Sequence, residues 1–391
     1  MKKLALSTLS LALLGAAGAA HAQSNVTLYG VIDTSIAWVH GNDGKANNSW
    51  QMMSGNESGS RWGLKGAEDL GGGLKAIFQL ESGFNPGTGA LGQNKGIFGR
   101  QAYVGLQSER YGTVTLGRQY DPVTDLVQGL TGDNIAFQYA TPGDVDNNDN
   151  SARFNNSVKY TSPVFGGFQF EGMYSLSGVA GKPGSGQTWS AALAYNNGPL
   201  GVAAGYLHMT NGASRTAGWT SPTADAGATF NGPINSGYAT ASSIGIAQVA
   251  GQYTFGPFAF GLGYSNAQYY RDGASAFLSN EKYNTGRGWV TYQATPAATL
   301  GLGYAYTKAS GDTDAKYHQV SASASYALSK RTDVYLIGAY QHASGSQRTV
   351  TVNPDGSVTL GTQSAQASIS SSGIAGTSSQ EIVALGIRHK F

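Results

Sequence analysis

Charged side chains are sparse in this chain, with 24 Lys and Arg and 22 Asp and Glu among 391 residues. That is 12% of the sequence, about half the usual ~25%. Those that fall on an alternating pattern are the first candidates for chemistry. From Arg61 onward, Trp62 and Leu64 share an apolar row, which leaves Arg61 and Lys65 on the opposite one. In the next stretch Leu74, Ala76, Phe78 and Leu80 share a row and leave Lys75 and Glu81 on the other. Arg100 is ambiguous, because Ala102, Val104 and Leu106 share its parity; either that strand is bulged or Arg100 lies near a rim. Charges aligned on one wall supply a field that can orient and steer charged solutes.

Chemistry of other kinds finds little support. Residues Gly143 to Asn150 place Asp144, Asp146 and Asn148 at calcium-loop spacing, but Asp149 stands where Gly is needed and Asn155 where a bidentate Glu belongs. A solvated acidic loop is the simpler reading. No Cys occurs, which excludes disulfides, thiolate zinc sites and cysteine nucleophiles. His40, His208, His318, His342 and His389 are dispersed, and no H-E-x-x-H, G-x-S-x-G or phosphate-binding glycine loop accompanies them. No cofactor and no metal are expected, and the near-balanced charge does not point to nucleic acid.

The elements that carry these charges are strands. The first 22 residues, with Lys2 and Lys3, an apolar stretch from Leu4 and the small-residue end Ala20, His21, Ala22, read as a secretory signal peptide, so that residues 23–391 form one exported domain. After it no run of ~18 apolar residues occurs. The exported domain has period two: Phe258, Phe260, Leu262 and Tyr264 alternate with Ala259, Gly261 and Gly263, and Leu300, Leu302, Tyr304 and Tyr306 alternate with Gly301, Gly303 and Ala305. A soluble sandwich would place Lys and Glu on the second face. Here that face is Gly, Ala and Ser, as expected for lipid outside and a crowded wet lumen inside, and only a closed barrel satisfies every backbone group in a bilayer. Arginine facing lipid at the midplane would cost ~2–4 kcal/mol, which turns Arg61 and Lys65 toward the lumen.

Short turns at Ala67 to Gly72, Asn196 to Pro199, Phe255 to Pro257, Ala294 to Ala297 and Ser329 to Asp333 alternate with long polar stretches near Tyr120 to Ala152, Thr210 to Ser243 and Ala343 to Ser379. Sixteen candidate strands can be drawn, from Val26–Ala37 to Glu381–Phe391, and barrels of 16 to 18 strands leave an aqueous channel. Ile244 and Ile246 change parity before Val249 and Tyr253. The fold class is thus an all-β, antiparallel transmembrane barrel.

Several runs are specific enough to resemble a family. SNVTLYGVIDTSIAWV, GSRWGLKGAEDLGGGLKAIFQLESGFN, RQAYVGLQSERYGTVTLGRQYDP, ARFNNSVKYTSPVFGGF and the terminal GIRHKF together look like a Gram-negative general porin of the β-proteobacterial branch. The resemblance spans the chain and is strongest over Asn25 to Phe168 and at the C-terminus. It implies a homotrimer of 16-stranded barrels in the outer membrane, each pore narrowed by an inward-folded third loop. Implied partners are outer-membrane lipid and lipopolysaccharide, the assembly machinery, and small hydrophilic solutes and ions. The enterobacterial P-E-F-G-type loop tip is absent between Tyr120 and Arg153.

Carried over by motif, the resemblance places the basic wall of the constriction on Arg61, Arg100 and Arg153, with Arg118 as a neighbour, and acidic groups of the inward loop on Asp121, Asp125 and Asp133; Lys65, turned inward by parity, is counted with the constriction. It makes Phe391, closing the row Val383, Leu385, Ile387 and His389, resemble the signal read by the assembly machinery; an interfacial anchor is the plainer alternative. The implied activity is passive diffusion of small hydrophilic solutes with mild anion preference. A substrate-specific channel or an adhesin is the alternative, and a barrel enzyme the more distant one. In the plain reading of the arginines, they fill lumen space and pair with nearby acids.

Overall fold

The fold was analysed in a computed structural model that describes residues 25–182, 184–215, 218–224, 232, 234–353 and 358–391. The signal peptide expected over residues 1–22 lies outside the described residues. The strands are β1 (Asn25–His40), β2 (Asn48–Ser54), β3 (Arg61–Gly71), β4 (Leu74–Gly83), β5 (Gln101–Ser108), β6 (Gly112–Gln119), β7 (Phe154–Thr161), β8 (Phe168–Ser175), β9 (Thr188–Asn197), β10 (Leu200–Thr210), β11 (Ser243–Phe255), β12 (Phe258–Tyr270), β13 (Glu281–Gln293), β14 (Ala298–Ser310), β15 (Lys316–Ala327), β16 (Thr332–Ser344), β17 (Ser346–Val352), β18 (Val358–Ser364) and β19 (Ser379–Lys390). All but the β17–β18 hairpin belong to one antiparallel sheet.

That sheet closes on itself. β1 pairs with β19 from Val31 opposite Lys390 to His40 opposite Glu381. Its other edge pairs with β2 above, Thr34 opposite Ser54, and with β3 below, Val31 opposite Arg61. β2 and β3 are therefore one barrel strand interrupted at residues 55–60, and the seventeen segments of the sheet make a 16-stranded barrel. Gly55 takes φ +81° at the start of the interruption. Asp33 holds the excursion: one of its carboxylate oxygens accepts the backbone N–H groups of Glu57 and Ser58, both at 2.8 Å.

Alternation decides which side is wet. Leu262 is 74% and Leu385 65% exposed, which in water would be costly and in lipid is the stable arrangement. The intervening positions face inward and are mostly small. Four of the expected turns hold; the one drawn at Ala67 to Gly72 lies later, because β3 continues to Gly71 and the chain reverses over Gly71, Gly72 and Gly73, all at positive φ. The apolar residues do switch rows at Ile244 and Ile246, and they do so without a break in the strand. β11 keeps an unbroken register with β12 from Ser243 to Phe255, and Ile244 and Ile246 are buried on the inward row. They meet Ile234, Tyr238, Tyr269 and Tyr283 in an apolar cluster inside the barrel mouth. Apolar residues there face protein, so apolar parity marks the lipid side only below that plug.

The long segment 120–153 folds into the barrel as a short helix (Pro122–Leu126) and a chain of 3-10 turns. It lies against the inner wall: the Trp289 indole donates to the Leu130 carbonyl at 3.2 Å, Tyr139 hydroxyl meets Ser323 at 3.0 Å and Tyr269 hydroxyl donates to the Val145 carbonyl at 2.8 Å. Glycine makes the close approach possible. A Cβ on Gly303 would stand 2.5 Å from the Tyr139 ring, and one on Gly205 2.9 Å from a Val123 methyl. The small inward row of the sequence is thus a seat for this loop as well as a lumen wall.

Candidate functional site: a charged gap in the lumen

Between the inward loop and the wall built by β3, β4 and β5 lies a cavity of about 700 Å³. Arg61 enters it from the first residue of β3, with Nη1 donating to the Gly59 carbonyl at 2.8 Å. Arg100 stands just before β5, and its ambiguity resolves as a bulge: Gln101 pairs with Glu81 while the Arg100 N–H also donates to the Glu81 carbonyl. Two residues face one, and the guanidinium turns inward to Glu81 at 2.8 Å. Arg153 comes from the end of the inward loop and donates to the Ser151 carbonyl at 2.8 Å. The Tyr120 ring stacks between two of them, 5.8 Å from the Arg100 guanidinium and 5.1 Å from that of Arg153.

Glu81 is the carboxylate on this wall. It also sits 3.6 Å from Arg61 and accepts from the Tyr29 hydroxyl at 2.9 Å. Across the gap the loop contributes Asp125, Asp133 and Asp149. Asp125 is in an ion pair with Lys159. Asp133 accepts from Gln128 at 2.5 Å, and burial, then the charges of Asp149 and Asp144, hold its carboxyl well above the usual range. Asp149 accepts from Ser370 and Ser371 at 2.6 and 3.1 Å; burial pushes its carboxyl up to about 6. Three guanidiniums therefore meet acids that are shared, paired or resistant to ionisation.

Three residues expected at the constriction do not line the gap. Asp121 is fully buried and caps the short helix, accepting from the Val123 N–H at 2.9 Å, Thr124 at 2.8 Å and Ser190 at 3.2 Å. Lys65 faces inward four residues below Arg61, ~13 Å along the strand, with its ammonium over the Tyr29 ring. Arg118 sits where β6 shifts register between Gly117 and Gln119 and donates to the Gly99 carbonyl at 2.7 Å and to Asn155 at 2.5 Å. The acidic loop at Gly143 to Asn150 is also not solvated. Asp146 is 1% exposed and joins Arg287 at 2.6 Å, together with Thr141 and Ser265, so its spacing serves to anchor the loop. Asp144 accepts the Asp149 N–H at 2.8 Å.

Sequence reasoning missed Tyr120, Asp149 and Glu57 as gap-lining residues. Glu57 reaches the gap from the interruption between β2 and β3 and pairs with Arg388 at 3.0 Å. The flanking Gly55 and Gly59 were the available signal, since glycines bracketing a polar pair inside an alternating run mark a bulge or break. Phe391 lies on the outward row, and its N–H and carbonyl exchange hydrogen bonds with Gly30, both at 3.0 Å.

A family model described as Gram-negative porin matches residues 7–346. An outer membrane porin protein of Bordetella pertussis is 33% identical over 382 residues, covering 87% of this chain and 94% of the relative. Outer membrane porin protein 32 of Delftia acidovorans is 32% identical, covering 100% of both. Among solved structures, an anion-selective porin from Comamonas acidovorans superimposes with a TM-score of 0.69 at 24% identity, covering 94% of this chain and 100% of that one. The closed 16-stranded barrel agrees in fold with that solved structure. The chain belongs to the Gram-negative porin family and is an outer-membrane channel for passive diffusion.

Proposed function

We propose that this porin passes small hydrophilic solutes with a preference for anions, and that Arg61, Arg100 and Arg153 set that preference. One observation carries the reading: three arginines share a single lumen gap with two wall carboxylates, Glu81 and the Arg388-paired Glu57, while the acids opposite are paired with Lys159 or raised in pKa. Fixed charge at a narrow, low-dielectric waist concentrates counter-ions. At ~0.1 M salt the Debye length is near 10 Å, so solute in the gap stays under the influence of its walls. The test is the zero-current potential of single channels in a potassium chloride gradient. A potential of the sign set by chloride supports the reading, and one set by potassium overturns it.

The finer assignments belong to the same proposal. We infer a homotrimer, contact with lipopolysaccharide in the outer leaflet, recognition of the tail ending in Phe391 by the assembly machinery, and a channel without catalytic activity. Oligomers that survive unboiled gel electrophoresis and collapse on heating are the expected outcome. Deleting Phe391 is expected to lower outer-membrane levels with export across the inner membrane intact.

A further inference from the structure

Tyr29, Gly63 and Glu81 form one cross-strand row on β1, β3 and β4, with Tyr29 opposite Gly63 and Gly63 opposite Glu81. A Cβ on Gly63 would stand 2.7 Å from the Tyr29 hydroxyl, so glycine at this position lets the ring lie across β3 and reach a carboxylate two strands away. The Tyr29 hydroxyl donates to Glu81 Oε2 at 2.9 Å. Arg61 Nε approaches the same oxygen and stops at 3.6 Å, whereas Arg100 Nε holds the other oxygen, Oε1, at 2.8 Å. Tyrosine and arginine thus compete for one carboxylate oxygen, and the neutral side chain has the nearer place.

A chain of hydrogen bonds fixes that outcome. A carboxylate only accepts, which commits the Tyr29 proton to Glu81 and leaves the Tyr29 oxygen to accept in its turn. It accepts from Gln79 Nε2 at 2.7 Å, and Gln79 Oε1 accepts from the Tyr103 hydroxyl at 2.9 Å. All three donors point the same way, toward Glu81, and bonds aligned head to tail polarise one another. On the other side Arg61 is held off by its own contact, Nη1 donating to the Gly59 carbonyl at 2.8 Å. Tyr29, Gln79 and Tyr103 carry no charge and do not line the gap.

We propose that Tyr29 is a positioning residue for ion selectivity: by holding Glu81 Oε2 it keeps Arg61 from folding onto the wall, so that the guanidinium stays in the gap where solute passes. The proposal rests on the anion preference assigned to the gap arginines and adds to it a neutral residue outside the gap that decides how much of their charge is presented. Without the hydroxyl, Arg61 is the group left beside Glu81 Oε2, and closing that ion pair withdraws a positive charge from the waist at no change in total charge.

The test is the zero-current potential of the full mature channel in planar bilayers, in a potassium chloride gradient at low salt, for Tyr29→Phe, Arg61→Gln and the double variant. Tyr29→Phe keeps the ring across Gly63 and alters no charge. It is expected to lower the chloride-to-potassium permeability ratio about twofold, roughly half, on a logarithmic scale, of what a unit charge 4 Å away contributes in water. In the Arg61→Gln background the same substitution is expected to change nothing, because the group it releases is gone, and a merely structural role of the tyrosine would not produce that non-additivity. An unchanged ratio in Tyr29→Phe beside a lowered one in Arg61→Gln overturns the proposal and leaves the anion preference of the arginines standing. An equal shift from Tyr29→Phe with and without Arg61 also overturns it, since the hydroxyl then acts by another route. An unchanged ratio in Arg61→Gln itself overturns the role given to that arginine, and the proposal with it.

Discussion

On the β13 side of the lumen, the Arg287 side chain is 4% exposed and lies 2.6 Å from Asp146, itself 1% exposed. On the β3 side, the Arg61 side chain is 30% exposed and its nearest acid, Glu81, is 3.6 Å away and shared with Arg100. The same residue type, facing inward from the same kind of strand, holds the loop in one place and projects a field in the other. What differs is the material opposite. Against β13 the inward loop is in contact, water is excluded, and an unpaired charge there would be strongly unfavourable. Against β3 the loop stands off and leaves a gap: Arg61 is part-solvated with its acid 3.6 Å away, while Arg100 and Arg153 line the gap from buried positions, Arg100 against the shared Glu81 at 2.8 Å. The loop is thus seated on one half of the wall so that the other half keeps a gap.

Breaking the seat is expected to have the largest effect. Asp146→Ala strands Arg287 in a dry contact, a loss of ~3–5 kcal/mol for a buried pair. The loop should leave the wall while the barrel stays closed, giving noisy, enlarged conductance and new proteolytic cleavage within residues 120–153. Gly303→Ala attacks the same seat sterically, because its Cβ would stand 2.5 Å from the Tyr139 ring. Overpacking of this kind costs ~1–3 kcal/mol, and the expected readout is a smaller rise in loop proteolysis at unchanged heat stability of the barrel.

A titration sharpens the other side of the comparison. Burial raises the Asp149 carboxyl to about 6, so its charged form is the disfavoured one. The Ser370 and Ser371 hydroxyls donate to the carboxylate and favour its charged form, so they oppose the rise that burial causes. As pH falls from 7 to 5, Asp149 loses its negative charge beside Arg100 and Arg153, and the zero-current potential should shift toward anions. Asp149→Asn should carry the anion-shifted potential at both pH values and show no step. The smallest effect is expected for Lys65→Gln and Arg118→Gln, which lie outside the gap; a selectivity change as large as that of the gap arginines would show that the waist extends beyond them.

Much of this was legible in the residues. Alternation of Leu300, Leu302 and Tyr304 with glycine revealed the barrel, because lipid and lumen impose opposite demands at a period of two. Arg61 could be turned inward by parity alone. Arg100 could not, since the bulge at Glu81 depends on a pairing partner that is remote in sequence. Asp121 was misplaced because its capping role depends on Pro122 and a helix too short to show periodicity. Asp146 looked like part of a solvated loop, since its partner Arg287 is 141 residues away and no local pattern links them. Local rules carry wall parity well; they do not carry the docking of a loop onto a wall.

The central claim is that the arginines lining the gap set ion preference. Its most direct test is the zero-current potential of the Arg61→Gln and Arg153→Gln double variant against the wild type, in a potassium chloride gradient at low salt. At ~1 kcal/mol for unit charges 4 Å apart in water, each lost charge should lower the chloride-to-potassium permeability ratio about fivefold. The potential should move clearly toward potassium, with Asp125→Asn, which frees Lys159, moving it the other way. An unchanged potential in the double variant, with conductance and oligomer intact, would contradict the account.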